Sequence, residues 1–458
     1  MKFHGGYNVL LEGRPSGEVR VLPDPDELHL PLMSERFDFS GVKVEDGEPV
    51  KPGQVLATDP RNHSVPLLAP RAGMVRLDHE GHVSIVDVRK ETEEAYRPEE
   101  DMEHAPQDAD SSGKRRFKLL ALGAWQFFCD AHTGELPDPY GVPSSVIVNT
   151  LKLEPFLARG DVQIRKRLNA FTRGIEHLQS FLEYQPIYLI LPADESKLGD
   201  EIRQRARGYA WIQVVEIPYR YGLDSLAILA RELGLKRSDG VVWGMDAAGA
   251  LAVDRALTLS LPSTVRIISV GGPAAQYRAH LKAMPGYPIK PLIEEFGEEG
   301  ARVLIGGALT GRPLEEAGCL GLDAECSGLT VLAEPREREF LGFARPGGDR
   351  RSYSKCFFSA LRDGVRERLT ASLRGERRAC VACGYCEEVC PARIMPHFIH
   401  KSLYQDEIEE AERLGVKLCV RCGLCSYVCP SKIELRAEFT EAQESIQAEL
   451  ASVVEEES

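Results

Sequence analysis

Cys380-Val-Ala-Cys383-Gly-Tyr-Cys386-Glu-Glu-Val-Cys390-Pro391 and Cys419-Val-Arg-Cys422-Gly-Leu-Cys425-Ser-Tyr-Val-Cys429-Pro430 are the two stretches that decide how this chain is read. Each places four cysteines in eleven residues with the spacing C-x2-C-x2-C-x3-C and a proline directly after. Thiolates spaced in this way curl around one corner of an iron–sulfur cubane, and soft sulfur ligands suit iron. Gly384 and Gly423 follow the second cysteine of each run and permit a sharp backbone path that aims N–H groups at sulfur. Pro391 and Pro430 fix φ where the chain turns away. The competing reading is a pair of structural zinc sites, which also use C-x2-C pairs. Zinc sites rarely pack four cysteines this tightly, twice, each followed by proline. Two [4Fe-4S] clusters are therefore expected.

The runs have the form found in bacterial ferredoxins, where three cysteines ligate one cluster and the fourth ligates the other. That resemblance implies Cys380, Cys383, Cys386 and Cys429 on the first cluster, and Cys419, Cys422, Cys425 and Cys390 on the second. Between Cys390 and Cys419, Ile399, Leu403, Ile408, Ala411 and Leu414 recur at helical intervals, and Gly415 stands where a helix would stop. Residues 376–435 thus resemble an α-helical dicluster ferredoxin domain, the kind that serves as a wire inside larger redox assemblies. Arg377, Arg378, Lys417 and Arg421 surround the runs, either offsetting cluster charge or as solvated surface groups. Cys129, Cys319, Cys326 and Cys356 have no metal-like companions in sequence and read as small buried residues.

The 458 residues leave room for three to four domains, and the formal net charge of -14 argues against a nucleic-acid partner, which needs clustered Lys and Arg. Met1–Gly13 lacks an apolar core behind a basic flank, so no secretory signal is read. The most apolar stretches, Leu119–Phe128 and Ile187–Leu191, fall short of the roughly 18 residues that span a bilayer. Membrane association is expected to be peripheral. Eight of the twelve cysteines sit in the two runs, which fits metal ligation in a reducing compartment better than disulfides.

Upstream, Val44 to Val75 alternates Val and Leu between the turns at Gly47, Gly53 and Gly73 and resembles a biotinyl/lipoyl barrel-sandwich fold over 1–88. Thr58 to Leu68 holds no lysine, so the fold is expected as scaffold and not as a swinging-arm carrier. Residues 89–116 are charged and poor in large apolar groups, the composition of a linker. Across 117–250 the expected strands Leu119–Leu122, Val146–Val148, Tyr188–Leu191 and Ile212–Ile217 alternate with helices near Val162–Tyr184, Glu195–Arg207 and Leu223–Leu233. That alternation predicts a parallel, Rossmann-like α/β domain. Leu257–Leu261, Val265–Val270 and Val303–Gly307 read as strands of a smaller β-rich domain over 251–330. A connecting segment, 331–375, leads to the cluster domain, and 436–458 reads as an acidic helical tail.

Gly123-Ala-Trp125-Gln-Phe-Phe128, Asp254-Arg255, the segment Val303 to Arg312, Glu337 to Phe343, Pro346-Gly-Gly-Asp349 and Phe358-Ser359-Ala360-Leu361 occur in an order that resembles the A subunit of the Na+-translocating NADH:quinone reductase. The resemblance runs over roughly residues 1–365. It implies a multidomain α/β and β chain: a barrel-sandwich hybrid, a Rossmann-like domain and a soluble-ligand-binding β-grasp domain, in that order. It also implies a cytoplasmic subunit, peripheral on the inner face of the cell membrane. Its partners would be integral-membrane and flavin-bearing subunits of a respiratory complex, and quinone. The cysteine-rich ending departs from the usual form of that family and resembles the C subunit of the Rnf electron-transport complex.

The expected function is single-electron transfer through two [4Fe-4S] clusters within an ion-translocating NADH:quinone oxidoreductase. The alternatives are an NADH entry module of the Rnf C-subunit type, or a soluble ferredoxin-like adaptor of a cytoplasmic oxidoreductase. Flavin and NADH are not expected on this chain. Its glycine doublets Gly5-Gly6, Gly271-Gly272, Gly306-Gly307 and Gly347-Gly348 form no G-x-G-x-x-G phosphate loop. His4, His29, His63, His79 and His82 have no regular ligand spacing, and Asp246, Asp254 and Arg255 read as fold contacts. No acid–base catalytic residue is expected.

Overall fold

A computed structural model describes residues 3–89, 111–182, 185–194, 196–314, 318–334, 361–362, 364–371 and 376–457. Most of the charged segment and of the connecting segment, Cys356, and nearly all of the motif residues between 337 and 361 lie outside them.

Two small antiparallel sheets form the N-terminal unit. One has the order Leu28–Pro31, His82–Val86, Gly73–Arg76, Pro49–Val50, and the other runs Gly41–Val42, Val55–Asp59, Val65–Leu68. The valine and leucine alternation sends one row of side chains inward. Leu28, Leu30, Phe39, Leu56, Val83 and Ile85 are fully enclosed. The Pro60–Ser64 turn is pinned by the buried Asp59 carboxylate, which accepts from the Asp38, Arg61 and Asn62 amides.

The next unit is a five-stranded sheet, in the order Ile212–Ile217, Ile187–Pro192, Ser145–Asn149, Val242–Asp246 and Cys129–Asp130. The first four strands are parallel, and Cys129–Asp130 closes one edge antiparallel. Ser145–Asn149 is buried throughout, as a central parallel strand covered on both faces must be. The helices Leu168–Gln179 and Ala247–Leu259 pack so closely that a Cβ at Gly174 would overlap the Ala250 carbonyl. Trp125 stacks on Phe128 with ring centroids 4.2 Å apart and meets Trp243 edge-on at 5.1 Å, so the Gly123–Phe128 motif is core.

A six-stranded mixed sheet follows, ordered Val19–Val21, Ala279–Ala283, Arg266–Gly271, Leu329–Leu332, Arg302–Ile305, Arg312–Pro313. Helix Ile289–Phe296 buries Ile289, Leu292 and Phe296. The edge strand Val19–Val21 comes from the far N-terminus and pairs in parallel with Ala279–Ala283.

Three sequence expectations give way here. Leu119–Leu122 is not a strand but the end of helix Ser111–Ala121 and the turn after it. Residues 111–116, expected as linker, begin that helix, and Arg116 is buried with hydrogen bonds to the Pro139 and Gly141 carbonyls. Leu257–Leu261 is likewise the end of helix Ala247–Leu259, so the boundary expected at 250 falls inside a helix. Short apolar runs fit a buried helix as well as a strand, and packing decides between them.

The C-terminal region is helical, with Tyr385–Glu388, Pro396–Tyr404, Ile408–Arg413, Leu424–Val428 and Leu435–Glu457. Gly415 ends the third helix at φ 91°. Leu435, Phe439, Ala442 and Ile446 recur on one face of the last helix and pack with Ile399, Ala411 and Val416. The first half of the expected acidic tail is therefore part of this core. Among the described residues no helix is long and apolar enough to cross a membrane.

Candidate iron–sulfur centre

The two cysteine runs fold alike, residue for residue. After the first cysteine the backbone enters the left-handed region at Ala382 and Arg421, with φ 51° and 53°, and again at Gly384 and Gly423, with φ 78° and 76°. Glycine takes the second of these positions without steric cost. A short helix starts directly after each glycine, Tyr385–Glu388 and Leu424–Val428, and carries the third cysteine on its first turn. The fourth cysteine of each run accepts at its carbonyl from a residue three further on, Arg393 or Lys432, both at 3.3 Å and both at φ 57°.

This repeated path opens two clefts of nearly equal size. One, with about 350 Å³ of non-protein space, is lined by Cys380, Cys383, Cys386 and Cys429. The other, with about 360 Å³, is lined by Cys390, Cys419, Cys422 and Cys425. Each cleft thus takes three cysteines from one run and the last cysteine from the other. Among the described residues no three Cys, His, Asp or Glu side chains converge as ligands of a single ion would. The sulfurs line clefts instead.

The electrostatics ask for positive charge between them. Burial, followed by repulsion from Cys383, pushes the Cys386 thiol up to about 11. Burial pushes Cys422 up to about 12 and Cys425 well above its usual range, with neighbouring thiols adding to the latter. Amide groups pull the other way: Arg421 N–H points at Cys419 Sγ at 3.4 Å, and the amides of Leu424 and Ser426 serve Cys422 and Cys425. Eight clustered thiols with amides aimed at sulfur fit a thiolate-ligated iron–sulfur group, whose iron supplies the missing positive charge.

The cleft walls differ. Val381, His397, His400, Ile433 and Leu435 line the first, and Cys383 is exposed there. His400 Nδ1 lies 2.6 Å from Glu438, which also holds Arg377 at 2.6 Å. The second cleft is walled by Ile394, Leu424, Phe439, Arg421 and Arg436. Of the four basic residues expected near the runs, Arg421 alone lines a cleft. Arg377 pairs with Glu438 and Lys417 with Glu412, while the Arg378 amide bonds the Ser431 carbonyl.

Residues far away in sequence hold this region against the parallel sheet. Arg231 donates to the carbonyls of Pro391 and Ala392 at 2.7 and 2.8 Å, directly after Cys390. The Tyr221 hydroxyl donates to the Cys422 carbonyl, and Arg393 pairs with Glu232 at 2.9 Å. The Gly6 amide donates to the Val389 carbonyl. Buried Glu154 accepts from the amides of Leu309 and Thr310, and Arg436 donates to the Thr310 carbonyl. Of these docking residues only Gly6, in the Gly5-Gly6 doublet, and Leu309 and Thr310, within the segment Val303 to Arg312, stand out in the sequence, and none of them as a docking group.

His29, His82, Asp246, Asp254 and Arg255 make structural contacts. His29 bonds Ser84, and His82 accepts from the Leu320 amide while its other ring nitrogen lies by the Glu80 carbonyl. Asp246 caps helix Ala247–Leu259 at the Gly249 amide, Asp254 takes a bidentate pair with Arg173, and Arg255 donates to the Pro262 carbonyl. Cys326 is buried, and Cys129 and Cys319 are partly buried.

One family model covers this site. The 4Fe-4S dicluster domain family matches residues 376–433, so the chain carries such a domain. The chain is also similar over most of its length to the Na(+)-translocating NADH-quinone reductase A subunit of Pseudomonas aeruginosa, at 29% identity over 425 residues, 91% of this chain and 92% of that protein. The corresponding protein of Alcanivorax borkumensis is 27% identical over 394 residues, 82% of this chain and 84% of its own. A match covering 91% of the chain cannot stop short of Cys380, so the likeness reaches beyond residue 365, into the cysteine-bearing region. A chain of an NAD+-reducing [NiFe]-hydrogenase in the H2-reduced state superposes with a TM-score of 0.41 and 14% identity, covering 74% of this chain and 66% of that one.

Proposed function

We propose that this chain is a cluster-bearing component, of the A-subunit type, in a membrane-associated, Na+-translocating NADH:quinone oxidoreductase. One [4Fe-4S] cluster would sit on Cys380, Cys383, Cys386 and Cys429, and a second on Cys390, Cys419, Cys422 and Cys425. The observation that carries the reading is the lining of the two clefts, four cysteines each, with the last cysteine of each run crossing to the other cleft. Support for the setting comes from the similarity to those reductase proteins along most of the chain.

A cluster held in this way supplies one-electron transfer without bond making. The chain's own residues do the rest. The cysteines fix the two positions, amides at Arg421, Leu424 and Ser426 stabilise sulfur charge, and Arg231 and Tyr221 fasten the region to the parallel sheet. We read the upstream units as a barrel-sandwich hybrid, a Rossmann-like domain and a β-grasp domain, serving as scaffold. In this reading the protein lies on the cytoplasmic face of the membrane, with integral-membrane and flavin-bearing subunits as partners and quinone as the acceptor of the complex.

The test is anaerobic purification of the native chain with its companions. Iron and acid-labile sulfide in equal amounts, an EPR signal of two interacting clusters after dithionite, and co-purifying membrane subunits with NADH:quinone activity are expected. Colourless, zinc-loaded protein would remove the cluster assignment. Clusters without membrane companions would remove the complex and leave a soluble electron carrier.

A further inference from the structure

The two cysteine-lined clefts share a backbone but differ in charge. Among the described residues no lysine or arginine lines the Cys380/Cys383/Cys386/Cys429 cleft, and its His400 is turned to Glu438. Arg421 and Arg436 line the Cys390/Cys419/Cys422/Cys425 cleft. Arg436 is anchored by carbonyls: Nε donates to Arg421 at 3.0 Å and a terminal nitrogen to Thr310 at 3.2 Å. It has no carboxylate partner among the described residues. Arg421 donates Nε to the Gln443 side chain at 2.5 Å, and its carboxylate neighbour Glu444 stands 3.9 Å away. Arg231 adds a third guanidinium behind Pro391, partly matched by Glu232 at 3.5 Å.

We propose that Arg436, with Arg421 beside it, sets the cluster on Cys390, Cys419, Cys422 and Cys425 at a higher reduction potential than its neighbour. Electrons shared by the pair then settle on the cluster nearest the parallel sheet. This rests on the cluster assignment above and adds an order to the two centres. Reduction places one more negative charge on a cluster and breaks no bond. A guanidinium stays charged at any physiological pH, and its attraction for that added charge grows as water is displaced, so partly buried Arg436 carries more of it than Arg421, whose side chain is 41% exposed. Carbonyl anchoring holds the charge in place without cancelling it, as a carboxylate partner would.

Exposure works in the opposite direction. Water at the exposed Cys383 stabilises the reduced state of the first cluster, whereas the four cysteines of the second cleft are all partly buried. Solvent at Cys383 reaches one corner, however, whereas two cations form part of the second wall. The cations prevail.

The experiment is an EPR-monitored redox titration of the full chain, reconstituted anaerobically. Wild type is expected to show two resolved potentials. Arg436→Gln should lower the upper one and leave the lower in place, Arg421→Gln should act in the same direction, and Arg436→Lys should keep the upper potential near its wild-type value. His397→Gln in the other cleft should leave the upper potential unmoved. A shift confined to the lower potential, equal shifts in both, or no shift in either glutamine variant overturns the proposal. If Arg436→Gln fails to assemble, Arg421→Gln and Arg436→Lys decide alone by the same readings. Wild-type protein without cluster signals would instead overturn the cluster assignment, and the two failures are told apart.

Discussion

The Tyr221 hydroxyl donates to the main-chain carbonyl of Cys422 at 2.8 Å, so a loop of the parallel-sheet unit holds the backbone of an expected cluster ligand. Burial pushes the Tyr221 phenol well above its usual range, which keeps it protonated and donating at neutral pH. Its main chain is tied as well, pairing with Tyr7 through both amides. Three segments thus meet here: the N-terminus, the loop after strand Ile212–Ile217, and the second cysteine run.

Tyr221→Phe should loosen this junction without removing a ligand. One buried hydrogen bond contributes about 1 kcal/mol net, and a carbonyl left without its donor costs a further amount of about the same size. Urea titration followed by visible absorbance should show an earlier loss of cluster colour, with full iron content before denaturant. An unchanged midpoint would mean that the bond contributes nothing to docking.

Gly5→Ala should act more severely. Gly5 has φ 67°, and a Cβ there would overlap the Cys390 carbonyl, which is main chain and cannot step aside. The left-handed backbone alone costs about 1–2 kcal/mol for a residue with a side chain. Hydrogen exchange should report loss of protection at the Gly6 and Tyr7 amides, which donate to the carbonyls of Val389 and Tyr221. Retained protection would show that the segment has another anchor.

The Arg36–Glu325 pair should make the protein acid-labile. Burial alone would raise the Glu325 carboxyl, but the Arg36 charge and the hydrogen bonds from Ser34 and Arg36 outweigh it and hold the group below its usual range. A depressed carboxyl contributes stability that is present above the unfolded value near 4.3 and is lost as pH falls through the folded one. Arg36 also donates to the Gln126 and Phe128 carbonyls, so the loss reaches two units at once. Glu325→Gln at neutral pH should cost about 2–3 kcal/mol, below the 3–5 kcal/mol of a fully enclosed pair, because both side chains keep some exposure. The variant should also lose stability less steeply in acid, as read by thermal melts across pH.

The extent to which the sequence announced all this follows from how local each feature is. Cysteine ligand spacing is set within eleven residues, so the runs could be read directly, and Gly384, Gly423 and Gly415 marked real left-handed turns. Strands Ser145–Asn149 and Ile187–Pro192 were visible because buried parallel strands are continuous apolar runs. Leu119–Leu122 and Leu257–Leu261 have the same local look, yet they end helices whose earlier turns carry Lys114, Arg115 and Arg116 or Asp254 and Arg255. The pairing of Val19–Val21 with Ala279–Ala283 and the reach of Arg231 to Pro391 depend on tertiary contact, and no pattern within a segment encodes them.

Glu154 should give a pH dependence opposite in sign to that of Glu325. Its carboxylate accepts from the amides of Leu309 and Thr310 at 2.9 and 2.8 Å and from the Thr310 hydroxyl at 2.8 Å. Burial nevertheless outweighs these bonds and raises its pKa, with Asp224 nearby adding repulsion. For a raised carboxyl the contribution to stability is complete below the unfolded value near 4.3 and is lost as pH rises through the folded value, because the folded state must then ionise an enclosed group. Glu154→Gln keeps the shape and one acceptor oxygen and cannot ionise. The stability of wild type relative to this variant should therefore decline as pH rises above the unfolded value near 4.3 and level off past the folded one, measured by paired urea titrations. The Thr310 carbonyl also anchors Arg436, so the variant tests whether this loop steadies the arginine at the second cleft. A wild-type advantage that grew with pH would mean that the three hydrogen bonds, and not burial, govern the carboxyl.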